Sequence, residues 1–109
     1  MPDMGLGELE EVILLGVLSQ GARAFSLEVR REIERTTGRA VSRGAFYTTL
    51  ERLERKGLVE WEALQPVNAR RKGTQRRFSV TPAGMEALRV SREHLRARCL
   101  RLGEALGDR

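Results

Sequence analysis

Few residues in this chain of 109 can carry covalent chemistry. It has one histidine, His94, and one cysteine, Cys99. His94 has no Cys, Asp or second His at ligand spacing, so it reads as a solvated helix residue and no metal site is expected. Carboxylates pair only on helix surfaces, and no Gly-rich loop opens a helix after a strand. Neither a nucleophile–base pair nor a phosphate cradle can be assembled, so the sequence reads as a non-enzyme without a cofactor. The chemistry left is recognition of a polyanion. Arg43, Gly44 and Thr48 fall on one stretch, where a guanidinium and a hydroxyl can meet base edges and a glycine lets the backbone come close. Arg70, Arg71, Lys72 and Arg76 follow in an acid-free stretch and suit phosphate.

Charge is distributed accordingly. Residues 1–34 hold seven acids and three bases (−4), whereas residues 35–80 hold four acids and eleven bases (+7), within a total of +5. A basic middle beside an acidic start is an electrostatic footprint for nucleic acid first and an anionic membrane surface second. No apolar run is long enough to span a bilayer, and Met1 to Gly5 lack the pattern of a secretory signal. A lone cysteine agrees with a reducing compartment, and a cytoplasmic location is expected.

The elements that must position these residues are marked in the sequence. Ser42 can cap a helix, Val41 can staple onto Phe46, and Gly57 with Leu58 can close it in a left-handed stop packed on Leu53. Between the caps Phe46, Leu50 and Leu53 define an inner face, leaving Gly44, Thr48, Arg52 and Arg55 opposite and Arg43 and Tyr47 on the flank. On spacing alone Tyr47 fits against the preceding helix better than against a ligand. Two helices precede this one. The first runs from about Leu6 to Gln20 and is apolar nearly all round; the second runs from Ser26, as a cap, to Thr36, with Leu27, Val29 and Ile33 inward and Gly38 as its stop.

After Gly57 the period changes to two. Val59, Trp61 and Ala63 alternate with Glu60 and Glu62, and Arg76, Phe78 and Val80 alternate with Arg77 and Ser79, predicting a half-buried hairpin with Trp61 and Phe78 as a cross-strand aromatic pair. Its loop, Gln65 to Thr74, carries the basic cluster. Thr81 and Pro82 then start a last helix reaching about Gly103, about 33 Å long at 1.5 Å per residue. Met85, Leu88, Arg92, Leu95, Cys99, Leu102 and Leu106 follow three-four spacing on it. Such a stripe serves an intramolecular core or a second subunit, and the apolar first helix favours a homodimer. Leu9, Ile13, Leu88, Leu95, Cys99 and Leu102 are the expected subunit contacts. The fold class is thus mainly α with a small β-hairpin: a winged helix-turn-helix at about 6–80 and a dimerisation helix at about 81–106 in one unit.

Gly44-Ala45-Phe46-Tyr47-x-x-Leu50-x-Arg52-Leu53-Glu54-x-x-Gly57-Leu58, Phe78-Ser79-Val80-Thr81-x-x-Gly84 and the apolar Leu9 to Leu18 together resemble the PadR-like family of bacterial winged-helix regulators over nearly the full length. The chain has Arg23-Ala24-Phe25 where that family commonly has His-Gly-Tyr, and Arg77 where an aromatic is frequent. The resemblance implies double-stranded DNA as partner, through a pseudo-palindromic operator, and makes Ser42 and Tyr47 phosphate contacts. It also implies a homodimeric repressor of the small subgroup with one terminal helix, in which a cleft at the dimer centre accepts flat hydrophobic compounds. The sequence assigns no residue to such an effector. The rival expectation is a winged helix used for protein or RNA contact.

Overall fold

The computed structural model describes residues 6–64 and 75–105. The elements follow as α1 (Glu8–Gln20), a 3-10 turn (Gly21–Arg23), α2 (Ser26–Thr37), α3 (Arg43–Arg55), β1 (Val59–Leu64), β2 (Gln75–Val80) and α4 (Pro82–Ala105). This is the winged helix-turn-helix with a long terminal helix that the periodicities predict.

One core holds the three helices together. Ile13, Leu14 and Val17 of α1 meet Val29 and Ile33 of α2 and Phe46, Leu50 and Leu53 of α3, with Val59 and Phe78 closing the hairpin side. α1 and α2 approach closely at Gly16, where a Cβ would lie 3.1 Å from Val29 Cγ1. Two residues fall elsewhere than their spacing predicts. Ile13, expected at a subunit contact, is 0% exposed within its own chain, so no surface of it is left for a partner. Leu27, expected inward, is exposed because it stands about 200° round α2 from Val29. Ser26 is the first residue of α2, and Phe25 occupies the cap position.

α1 also buries a charge that its apolar pattern conceals. Glu10 is 3% exposed. Its carboxylate accepts the Gly7 N–H at 2.8 Å and the Lys56 ammonium at 2.8 Å, joining the start of α1 to the end of α3. Burial alone would raise its pKa, but the hydrogen bonds from Lys56 and Gly7, with the charges of Lys56 and Arg52, outweigh it and hold the pKa below the usual value. A depressed carboxylate contributes stability above its unfolded pKa and loses it as pH falls through the folded one. Glu10→Gln is therefore expected to cost about 1–2 kcal/mol at pH 7, since Lys56 is partly solvated. In urea unfolding the gap to wild type should narrow as pH drops below about 4; a gap independent of pH would contradict the ion pair.

The hairpin pairs Val59 with Val80, Trp61 with Phe78 and Ala63 with Arg76. It is pinned to the helices where the Phe78 N–H donates to the Ala24 carbonyl at 2.9 Å and Phe25 bridges to Arg77. Only Val59 of β1 is buried, so the strand is less enclosed than its alternation predicts. Trp61 and Phe78 stand opposite, but the indole lies under Arg76 and is exposed while Phe78 is buried. The aromatic contact among the described residues is instead Phe46 with Tyr47.

α3 stops as the sequence predicts. Gly57 has φ 73°, and the N–H groups of Gly57 and Leu58 bond the carbonyls of Glu54 and Leu53, both at 3.0 Å. α4 is fastened to that stop. The Thr81 N–H donates to the Leu58 carbonyl at 3.1 Å, and its hydroxyl donates to the Gly57 carbonyl at 2.6 Å while accepting the Gly84 N–H at 3.0 Å. Ser91 also bonds Glu11 of α1. Farther along α4, Leu95, Cys99, Leu100 and Leu102 are exposed. No described helix is long and apolar enough to cross a membrane.

Candidate nucleic-acid interface

The start of α3 is fixed by one hydrogen bond. Ser42 Oγ accepts the Ala45 N–H at 3.1 Å, a cap whose removal typically costs about 1 kcal/mol. With Phe46, Leu50 and Leu53 buried, the opposite face of α3 is turned to solvent. Ser42, Arg43, Gly44, Thr48, Arg52 and Arg55 are all exposed. A Cβ built on Gly44 meets nothing of the chain within 4 Å, so the chain's own packing gives no reason for a glycine there.

Arg43 and Tyr47 form a pair on the flank. The Arg43 guanidinium lies 6.0 Å from the Tyr47 ring centroid, and Tyr47 is braced edge-on by Phe46 at 5.4 Å and 84°. Tyr47 keeps 37% of its surface exposed, unlike a residue lying flat on α2. β2 brings Arg76 to the same place: an open cleft of about 650 Å³ is lined by Phe25 and Glu28 of the α2 entry, Arg43 and Tyr47 of α3, and Arg76 and Phe78 of β2. Among the sequence-predicted residues, Arg43, Tyr47 and Arg76 are thus gathered, with Ser42, Gly44 and Thr48 on the adjoining surface. Arg70, Arg71 and Lys72 lie outside the described residues.

Three further groups escape sequence reading. Trp61 Nε1 donates to Glu54 Oε1 at 2.6 Å and carries Arg76 on its ring at 4.4 Å. Glu28 lines the cleft with one carboxylate oxygen buried and unpartnered among the described residues. No local pattern places Glu28 there, since the cleft is closed only by tertiary packing. Of the expected subunit contacts, Leu9 and Leu88 are half-buried against the core and Leu95, Cys99 and Leu102 are exposed. Among the described residues no cluster of His, Cys, Asp and Glu could hold a metal ion.

An exposed, well-capped helix with a hairpin beside it is the geometry of a groove-reading domain. The family model described as "Transcriptional regulator PadR-like family" matches residues 14–90. The chain belongs to that family. This PadR-like chain is accordingly a DNA-binding transcriptional regulator and not an enzyme. Solved structures agree in fold. A PadR family regulator from Clostridium difficile R20291 is 17% identical with a TM-score of 0.74, the match covering 92% of this chain and 99% of that one. A transcriptional regulator from Clostridium thermocellum is 15% identical with a TM-score of 0.72, covering 88% and 87%. RosR of H. salinarum is 26% identical with a TM-score of 0.60, covering 94% and 96%. No curated protein matches the chain.

Proposed function

We propose that this PadR-like chain is a homodimeric repressor that reads a pseudo-palindromic operator with α3. The observation that carries the reading is the outer face of α3, exposed from Ser42 to Arg55 and uncovered by the rest of the chain at Gly44. Arg43, Gly44 and Thr48 approach base edges in the major groove, while Ser42, Tyr47 and Arg76, with Arg70, Arg71 and Lys72, bind phosphate and set register. Residues of about 6–80 form the reading unit and about 81–106 the pairing helix. Two half-sites about 34 Å apart, one turn of duplex, match a two-fold axis between subunits.

Pairing is supported by apolar surface left open along α1 and α4. Leu15, Leu18, Met85 and Leu95 are 45–52% exposed and line one groove of about 860 Å³. A second copy seated there buries them and Leu88, and the apolar groove gives a flat hydrophobic effector a place to act on the dimer. If no such compound perturbs Trp61 fluorescence or releases DNA, the effector part falls.

Gel-shift titration of own-promoter DNA against scrambled DNA over a salt series tests operator binding. A marked preference for the promoter is expected, and equal affinity for both overturns it. Gly44 offers a sharper test. Gly44→Ala meets no neighbour and improves helix propensity, so stability should hold or rise by up to about 1 kcal/mol. Operator affinity should nevertheless drop about tenfold, because the added methyl stands where the backbone must approach a base. Unchanged affinity would move the contact off this part of α3.

A further inference from the structure

The hairpin and α3 share a three-residue stack that the packing of the core does not require. Trp61 on β1 donates its indole N–H to Glu54 of α3 at 2.6 Å, which fixes the ring plane against the helix. Arg76 on β2 stands opposite Ala63, two pairs along from Trp61 opposite Phe78, and lays its guanidinium carbon 4.4 Å from the indole centroid. Tyr47 borders the same hollow beside Glu54, Trp61 and Arg76. Among the described residues Arg76 has no ion pair, although Glu54 borders the same hollow. A carboxylate partner would cancel its charge and take up its donors. An aromatic face holds the cation while leaving its N–H groups directed outward in the guanidinium plane.

We propose that Trp61, oriented by Glu54, is the positioning residue for Arg76. It holds the guanidinium edge-out beside Tyr47 so that Arg76 meets a DNA phosphate already ordered. The inference rests on the operator-binding reading and adds to it a residue outside the DNA surface. Ordering a long side chain before binding removes part of the entropy that its contact would otherwise consume. The stack also ties the hairpin's angle to α3, so the phosphate contact and the groove contact keep a fixed separation.

A double-mutant cycle on the full chain tests this, using a fluorescein-labelled duplex of own-promoter DNA and anisotropy from about 50 to about 200 mM salt. Arg76→Gln should weaken binding three- to tenfold and flatten the slope of log affinity against log salt by about 0.9. Trp61→Leu, which keeps apolar bulk and removes the π face, should weaken binding about two- to fivefold with the slope retained, because the charge is still present. Trp61→Phe, which keeps a π face but loses the bond to Glu54, should fall between wild type and Trp61→Leu. The combined Trp61→Leu, Arg76→Gln chain should bind no more weakly than Arg76→Gln alone. Melting curves establish that each variant is folded. A Trp61→Leu loss that adds in full to the Arg76→Gln loss, or no loss from either change, overturns the positioning role while operator binding stands. A folded wild-type chain without preference for its promoter removes the operator reading first, and this inference with it.

Discussion

Gly84→Ala is expected to destabilise the fold by about 3 kcal/mol or more, lowering the melting temperature by roughly 12–24 °C for a chain of this size. The first turn of α4 lies directly on the exit from α3. A Cβ at position 84 would stand 2.2 Å from the Leu58 carbonyl oxygen, 3.1 Å from its carbon and 2.7 Å from Val80 Cγ1. The obstacle is backbone, and it cannot swing away like a side-chain tip. The same Leu58 carbonyl accepts the Thr81 N–H, so moving it breaks a second bond. An alanine in a helix interior is otherwise favourable by about 1 kcal/mol over glycine. Gly44→Ala serves as the matched control, because the same methyl there meets open space. Thermal melts of the two variants should move in opposite directions, or Gly84 alone should fall. A Gly84→Ala chain within about 1 kcal/mol of wild type would show that α4 can ride off α3 without loss.

The largest effect on binding should come from the basic stretch. Replacing Arg70, Arg71 and Lys72 together with alanine is expected to reduce the slope of log affinity against log salt by about 2.7, about 0.9 for each phosphate no longer neutralised. Near 0.15 M salt that amounts to about a hundredfold weaker binding. These residues lie outside the described part of the chain, but Arg76 follows them closely in sequence and is exposed beside Tyr47. Promoter and scrambled duplexes should bind more weakly by the same factor, since phosphate contacts carry no base information. A weakening confined to the promoter would assign the cluster to base reading, and an unchanged slope would remove it from the interface. The melting temperature of the variant, measured alongside, distinguishes weaker phosphate binding from partial unfolding.

Much of this architecture is legible in the sequence because its signals are local. Ser42, Gly57 and Thr81 each act within a few residues, and the structure shows each capping or ending the helix it marks. Phe46, Leu50 and Leu53 likewise follow from helical spacing alone. What the sequence hides depends on partners far along the chain. Glu10 looks like one acid among several at the start of α1, and only the approach of Lys56, 46 positions later, makes its burial tolerable. Ile13 sits on a helix apolar nearly all round, so spacing cannot say which face meets the chain's own core. Alternation places Trp61 opposite Phe78, correctly in register, yet its ring engages Glu54 and Arg76, which a period-two pattern does not rank. At the candidate site, the α3 residues are readable from the caps, whereas Glu28 of α2 and Trp61 of β1 reach it through tertiary packing.

The bonds at Thr81 give α4 a mechanical meaning. Its hydroxyl and N–H grip the carbonyls of Gly57 and Leu58 in the turn that follows α3, and Gly84 leaves no slack between α4 and that turn. α4 is therefore fastened at its base to the turn through which the chain leaves α3. It spans 24 residues, about 36 Å, and a rotation of about 5° at that base displaces the far end by about 3 Å. If subunits pair through those arms as proposed, a wedge of a few ångströms between the arms would swing both α3 helices, and their separation would cease to match one turn of the duplex.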